Sequence, residues 1–194
     1  MTTDVIDQLV GITPGDELDT LRNQRPNARD NAQASFDSLL HADELEHASQ
    51  LERVAIAYWA LALSQAPSTP FYRALLAAED DSTAAILDAA LPDALTSGPY
   101  GDYPEGPLTI ENIAGPHWQP SPSLAAAVGP RLAAALAHTH LLVYRPRDSS
   151  AEALQALLDA GWTTTGIVTL SQLVAFLSFQ LRVVAGLTVL KGEL

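Results

Sequence analysis

Residues 153–187 read ALQALLDAGWTTTGIVTLSQLVAFLSFQLRVVAGL, and this stretch decides the fold class. Its first part is rich in alanine and leucine, a Gly-Trp pair follows at Gly161 and Trp162, and residues 161–181 carry no charge. Alanine and leucine favour helices, and glycine is the usual residue just past a helix C-terminus. The stretch therefore predicts a helix that ends at Gly161, followed by a long apolar helix over residues 164–190.

The uncharged run has about the length that crosses a lipid bilayer. However, threonine, serine and glutamine side chains interrupt it, and Arg182 follows it directly. We therefore expect a core helix of a soluble, cytoplasmic protein without a membrane partner. Residues 1–15 contain Asp4 and Asp7 and lack the basic and apolar regions of a secretory signal, which agrees with this expectation.

The composition excludes several classes of protein. The chain has 194 residues, of which 47% are hydrophobic and 17% charged, so it is not intrinsically disordered and fits one domain over residues 1–194. Its net charge of −13 argues against a nucleic-acid partner, because nucleic acids select clustered basic charge. The absence of cysteine excludes disulfides and thiol redox chemistry, and we expect no cofactor and no metal.

The remaining sequence also predicts helices, because alanine and leucine dominate and Asn-Gly or Asp-Gly hairpin turns are absent. Pro92 lies inside one predicted helix and should break or kink it. The predicted helices span residues 5–10, 17–24, 27–41, 49–65, 71–78, 82–95, 124–144, 151–160 and 164–190. They fall into N-terminal helices (1–48), a first helical unit (49–97), a proline-rich arm (98–123) and a second helical unit (124–194).

The proline-rich arm, residues 98–123, has 6 of the 13 prolines and no helical period. Long irregular segments usually serve as lids, interface arms or linkers. Tyr100, Tyr103 and Trp118 indicate that the arm packs on something, since aromatic side chains bury large areas. We expect an ordered arm that reaches a neighbouring subunit; a lid over a cavity at Glu52 is the alternative.

A shift of 114 positions aligns two apolar helices and hints at an internal duplication. The aligned pairs are Val54 with Val168, Ile56 with Leu170, Trp59 with Leu173, Leu63 with Leu177, Ser64 with Ser178, Leu75 with Val189 and Leu76 with Leu190.

Residues 52–61, ERVAIAYWAL, and the tail over residues 153–187 resemble the carboxymuconolactone decarboxylase and alkylhydroperoxidase D-like family. In the tail, Phe179, Arg182 and Gly186 stand at places characteristic of that family. The resemblance covers roughly residues 49–90 and 132–190. It implies an all-α, alkylhydroperoxidase D-like helical fold with a duplicated helical unit, and a homo-oligomer (dimer, trimer or hexamer).

The peroxidases of this family carry a glutamate, two cysteines and a histidine in a fixed pattern. When that pattern is projected onto this chain, Ser64 and Pro67 stand at the cysteine positions, Phe71 stands at the histidine position, and only Glu52 is kept. Peroxide reduction needs a thiolate and a second, resolving thiol, and a serine hydroxyl replaces neither. We therefore expect thiol peroxidase activity to be absent.

Glu52 has two interpretations. Ser49 and Glu52 match a capping box, in which each residue binds the backbone N–H of the other. Glu52 also shares a helical stripe with Ile56, Trp59 and Leu63, so it could face an apolar cavity and act there as a general acid or base.

The other candidates also have structural alternatives. We expect Ser64 to bind the backbone at a helix end. His138 and His140 are two residues apart on a helix and point in different directions, so they cannot share one ion, although one of them could line a pocket with His117. Arg182 is either a buried or interfacial salt-bridge partner or a clamp for a substrate carboxylate.

Two hypotheses about function follow. The first is an enzyme without thiol chemistry that performs acid–base catalysis on a small carbonyl or lactone compound. The second is a non-catalytic partner subunit or a protein that binds a small-molecule ligand on the same scaffold. The candidate residues are Glu52 for catalysis and Ser64, Trp59, Tyr72, His138 and Arg182 for the pocket.

Overall fold

The computed structural model describes residues 4–193. This range contains nine α-helices and two short 3-10 turns joined by loops, and no β-strand. The all-α prediction is thereby confirmed. The helices are α1 (Val5–Val10), α2 (Glu17–Asn23), α3 (Pro26–Leu40), α4 (Gln50–Leu63), α5 (Thr69–Ala94), α6 (Pro122–Val128), α7 (Pro130–Tyr144), α8 (Ala151–Asp159) and α9 (Thr164–Glu193).

Helix α4 lies at the centre of the molecule. Every side chain from Arg53 to Leu63 is buried, and α5, α7 and α9 pack around the helix. The sequence explains this position, because α4 is apolar on all sides except at its first turn. Its core is filled by large side chains such as Trp59 and Leu61, while alanines between them let the neighbouring helices approach closely.

Helix α9 is buried along one face only. Ile167, Leu170 and Leu173 face the core, whereas Val168 and Phe179 are exposed on the other side. Within residues 4–193, α9 is the one helix long and apolar enough to cross a membrane, and 33% of its most apolar window is buried. The expected core helix is therefore buried on its inner face and exposed on its outer face, and the expectation of a soluble protein stays a prediction.

Two helix boundaries differ from the sequence-based expectation. Pro92 does not end α5, which continues to Ala94; this proline lies in the last turn, where its missing N–H costs a single hydrogen bond. The single helix expected over residues 124–144 is split into α6 and α7. Gly129 separates them with a φ of 81°, and Pro130 begins α7 because its fixed φ suits the first helical position. The predicted break before residue 82 is present as a kink at Asp80.

The proline-rich arm is ordered and packs against its own chain. The backbone N–H of Tyr100 donates to the carbonyl of Tyr144 at 2.6 Å. The Trp118 ring lies 5.4 Å from the Trp59 ring, so the arm packs an aromatic side chain on the core of its own chain, and its reach to a neighbouring subunit stays a prediction. Residues 102–113, here called the arm tip, extend away from the core, and Ile110 in the tip is 90% exposed.

A pair of glycine substitutions in α9 tests how closely its first turn approaches the loop before α4. A Cβ at Gly166 would lie 2.5 Å from the His47 carbonyl oxygen. Gly166→Ala should therefore lower the free energy of unfolding by about 1–3 kcal/mol, the usual cost of overpacking. Gly186 has open space around its Cβ position, so Gly186→Ala should raise the free energy by about 0.5–1 kcal/mol. Urea unfolding of both variants measures the difference; equal effects would contradict the close approach.

Candidate functional site

Glu52 forms the predicted capping box at the start of α4. Its Oε2 accepts from the Ser49 backbone N–H at 2.8 Å, and the Ser49 hydroxyl oxygen accepts from the Glu52 N–H at 3.2 Å. The same carboxylate is bound by Arg131, whose Nε lies 2.5 Å from Oε1. Both carboxylate oxygens are therefore engaged in structural contacts, and the capping-box interpretation is confirmed.

Arg131 connects three parts of the chain. Beyond Glu52, its guanidinium donates to the carbonyl oxygens of His47 at 2.8 Å and Gly161 at 2.5 Å. It also lies 4.2 Å above the Trp162 ring, and the Trp162 indole N–H donates back to the Arg131 carbonyl. These contacts, here called the Arg131 junction, join the start of α4, the start of α7 and the turn between α8 and α9. The role of Glu52 as a general acid or base stays a prediction, and these contacts leave it no free oxygen.

The other sequence-based candidates lie apart from one another. Ser64 ends α4, and its hydroxyl donates to the Ala60 carbonyl, as expected for a helix end. Trp59 and Tyr72 are fully buried in the core. Tyr72 donates to the Gln180 side-chain oxygen, and burial raises the pKa of Tyr72. None of these side chains lines a cavity with Glu52 in the described part of the chain.

Arg182 is exposed, so the interpretation as a buried salt-bridge partner is wrong, whereas the interfacial salt bridge and the substrate clamp stay predictions. Its side chain is exposed on the outer face of α9 and donates to the Ser178 carbonyl of the same helix. Within residues 4–193 it has no carboxylate within 4 Å, so the predicted intrachain salt bridge is absent from this range.

A cavity of about 170 Å³ lies between α7, α8 and the arm. Small side chains create it: Ala134 and Ala137 of α7 face Ala153 and Ala156 of α8. Where two helices meet through alanines and remain apart, the missing side-chain volume is left as a void. Residues 117–119 of the arm line one side of the cavity, so this part of the arm lies at the α7–α8 cavity rather than at Glu52.

His138 is the most unusual polar residue of the cavity. Its side chain lines the cavity, is only 6% exposed, and has no hydrogen-bond partner on either ring nitrogen within residues 4–193. Buried polar groups are nearly always paired, and an unpaired one costs about 1–3 kcal/mol. Burial lowers the pKa of His138, so the ring is neutral at pH 7 and presents one N–H donor and one lone pair.

The residues around the cavity at His138 include aromatic rings and an arginine that is paired with an aspartate. Trp118 stacks on His140 at 5.3 Å, and the His140 Nε2 donates to the Ala94 carbonyl at 3.1 Å. Burial lowers the pKa of His140, opposed by this hydrogen bond. Arg145 also lines the cavity, but its guanidinium is held by Asp148 at 2.5 Å and by the Gly115 carbonyl at 2.7 Å. The cavity therefore offers no free charge from this pair.

A second cavity, of about 330 Å³, is also lined by His138. Its lining includes three serine hydroxyls, those of Ser149, Ser150 and Ser171. His138 is thus part of the wall of two cavities. Within residues 4–193, no group of three or more His, Asp or Glu side chains is arranged to hold a metal ion.

The site could be anticipated only in part from the sequence. The hypothesis that one of His138 and His140 lines a pocket with His117 agrees with the lining of the α7–α8 cavity, to which both of them contribute. Arg131 was missed, because nothing in the sequence links it to Glu52, 79 residues away. The alanine face of α7 was also missed, although the spacing of Ala134, Ala137 and His138 places them on one side of a helix.

Comparison of the chain with protein-family models, with curated proteins and with solved structures found no match. The resemblance to the carboxymuconolactone decarboxylase and alkylhydroperoxidase D-like family, and the internal duplication, therefore stay predictions.

The neutral state of His138 predicts a pH dependence of stability. In the unfolded chain the imidazole titrates near its ordinary pKa of 6.5, whereas burial lowers that pKa in the folded chain. Below about pH 6.5 the unfolded state binds more protons, so the free energy of unfolding falls as the pH falls toward the folded pKa. The His138→Gln variant has no imidazole to take up this proton. Its free energy of unfolding should therefore fall less than that of the wild type between about pH 7 and pH 5.5.

Urea unfolding of the wild type and the variant at several pH values measures this difference. His41→Gln is the matched control, because His41 is exposed at the end of α3. An equal pH dependence in the wild type and His138→Gln would contradict the assignment of a buried, neutral ring.

Proposed function

We propose that this protein binds a small-molecule ligand in the α7–α8 cavity, through His138. One observation carries the proposal: a nearly buried histidine with no hydrogen-bond partner on either ring nitrogen within residues 4–193 lines a cavity. A ligand that pairs with these nitrogens would remove the cost of the unsatisfied group, and that gain becomes binding free energy. Small-ligand sites are typically apolar cavities with a few convergent polar groups, as here.

The lining of the cavity favours an uncharged, flat ligand. Arg145 is neutralised by Asp148, and the lining side chains include no carboxylate, so neither an anion nor a cation finds a free counter-charge. The neutral His138 can donate to a carbonyl or hydroxyl oxygen and accept from a hydroxyl. The ring of Trp118 supplies a flat wall. We infer a small planar compound with a hydroxyl or carbonyl group, such as a phenol.

The acid–base hypothesis moves from Glu52 to His138 as the second candidate function. The Glu52 oxygens are both engaged, whereas the neutral His138 imidazole has no hydrogen-bond partner within residues 4–193 and keeps a lone pair that can act as a general base. On this reading the protein would act on a small carbonyl or lactone compound in the same cavity. Thiol peroxidase chemistry has no support in a chain without cysteine.

We propose further that the fold is of the alkylhydroperoxidase D-like kind, a duplicated helical unit in a homo-oligomeric, cytoplasmic protein. Three aligned pairs support the duplication, because both members of each are buried: Ile56 and Leu170, Trp59 and Leu173, and Leu63 and Leu177. Helices α4 and α9, which carry these pairs, pack against each other. Three pairs depart from the pattern: Val54 is buried and Val168 exposed, Leu75 is partly buried and Val189 exposed, and Leu76 is fully buried and Leu190 only partly buried.

A cavity-filling substitution tests the location of the ligand. Phenol is the probe, benzoate is its charged analogue, and γ-butyrolactone and p-benzoquinone are further carbonyl probes. A ligand that binds only the folded state raises the melting temperature in proportion to the logarithm of its concentration. We expect phenol to raise the melting temperature of the wild type, and benzoate to do so less. Ala137→Leu fills the cavity and should abolish the effect of phenol.

Two control variants make the result specific. Ala175→Leu adds the same side chain on the exposed face of α9 and should leave the phenol response unchanged. Glu52→Gln should lower the stability by at least about 1 kcal/mol, because it weakens the cap and removes the ion pair with Arg131, but it should keep the response. If Glu52→Gln removes the response while Ala137→Leu keeps it, the ligand binds elsewhere and the proposal is wrong.

A further inference from the structure

The arm tip is an exposed apolar projection. Leu108, Ile110 and Ile113 are 50%, 90% and 49% exposed, and they lie within a few residues of one another. A short 3-10 turn, Pro107–Glu111, and the backbone pairing of Gly101 with Ile113 give the tip a defined shape. The Arg147 guanidinium also holds the tip by donating a hydrogen bond to the Glu111 carbonyl. Such a cluster is unusual on a free surface, because exposed large apolar groups tend to mark contact sites.

A largely apolar groove of about 320 Å³ lies between α2, α3 and the outer face of α9. Its floor and walls are formed by the side chains of Ile6, Leu21, Ala28, Phe179, Val183 and Leu187. Phe179 and Leu21 are strongly exposed in the groove. The groove is therefore a concave apolar surface that nothing covers within residues 4–193.

The charges around these two surfaces are complementary. The tip carries Glu105 and Glu111, and the whole arm contains no lysine or arginine. The groove is lined by three of the chain's ten basic residues: Arg22 and Arg29, which are paired with aspartates, and Arg25. Within the described range, neither Arg25 nor the two glutamates has an ion-pair partner within 4 Å.

Arg182 adds to this complementarity. It follows directly after the apolar run of α9, next to Val183 in the groove wall, and its exposed guanidinium has no carboxylate within 4 Å in residues 4–193. Two unpaired arginines therefore lie at or beside the groove, and two unpaired glutamates lie at the tip. Two copies of a chain with a net charge of −13 repel each other, and attraction between these arginines and glutamates would offset that repulsion where the two surfaces meet.

We propose that the arm tip of one copy of this chain inserts into the α2–α3–α9 groove of a second copy. Ile110 and Leu108 fill the groove against Phe179, and Glu105 and Glu111 meet Arg25 and Arg182. The exchange is reciprocal, so that two identical tip–groove contacts close a symmetric dimer. This inference is independent of the ligand proposed at His138, because neither the tip nor the groove lines that cavity.

The absence of cysteine from the natural sequence allows a direct test. An affinity-tagged Ile110→Cys chain is mixed with an untagged Phe179→Cys chain and oxidised, so that each disulfide joins two introduced thiols. The tagged and untagged chains should form a mixed disulfide of two-chain mass on a non-reducing gel. The control pairs Ile110→Cys with Leu45→Cys, since Leu45 is 40% exposed but lies in neither surface.

The yield of mixed disulfide decides the result. A yield several-fold above the Leu45→Cys control supports the docking of tip into groove. A yield equal to the control overturns it, and so does a wild-type chain that remains a monomer by light scattering at all concentrations tested.

Charge reversal gives a second, independent readout. Arg25→Glu should shift the mass by light scattering from two chains toward one, and so should Glu111→Arg. Combined in one chain, the two substitutions should restore the dimer, because the pair is re-formed with its signs exchanged. These residues are exposed, so an unchanged helical circular dichroism spectrum verifies folding. A dimer unaffected by Arg25→Glu, Glu111→Arg and Ile110→Asp would show that another surface joins the copies.

Discussion

The contact of Arg131 with Glu52 is the constraint on which the rest of the structure depends. It connects the start of the central helix α4 to the start of α7. Arg131 also contacts the Gly161 carbonyl and the Trp162 ring, and so holds the turn that precedes α9. An arginine suits this position because its planar fork donates to several oxygens at once and stacks on an aromatic ring. The contact is partly buried, so removing either partner would leave the other charge poorly solvated.

The same contact also determines which polar side chains are free to contact a ligand. Because Glu52 caps α4 and binds Arg131, the single residue retained from the peroxidase pattern serves the fold. The Arg131 junction holds the start of α7, and farther along the same helix His138 and the alanines line the cavity beneath the arm. Of the buried side chains without a hydrogen-bond partner in residues 4–193, His138 is the one that lines this cavity, away from the position that the family resemblance indicated.

Local features of the sequence predicted local structure well. The capping box at Ser49, the break at Asp80 and the arm aromatics follow from propensity, hydrogen bonding and burial within a few residues. The contacts that define the site are long-range: Arg131 meets Glu52 across 79 residues, and the cavity exists because alanines of α7 and α8 face each other. No pattern within a short stretch of sequence predicts which residues of distant segments come into contact. The apolar run of α9 likewise predicted a helix but not which face stays exposed, since that depends on the elements packed against it.

The most direct measurement is a nuclear magnetic resonance titration of the His138 ring nitrogens and the Glu52 carboxyl carbon with phenol at pH 7. A neutral imidazole whose ring-nitrogen shifts change on addition of phenol, with the Glu52 signal unmoved, is the predicted result. A charged His138 ring in the free protein, or a response confined to Glu52, would contradict the account.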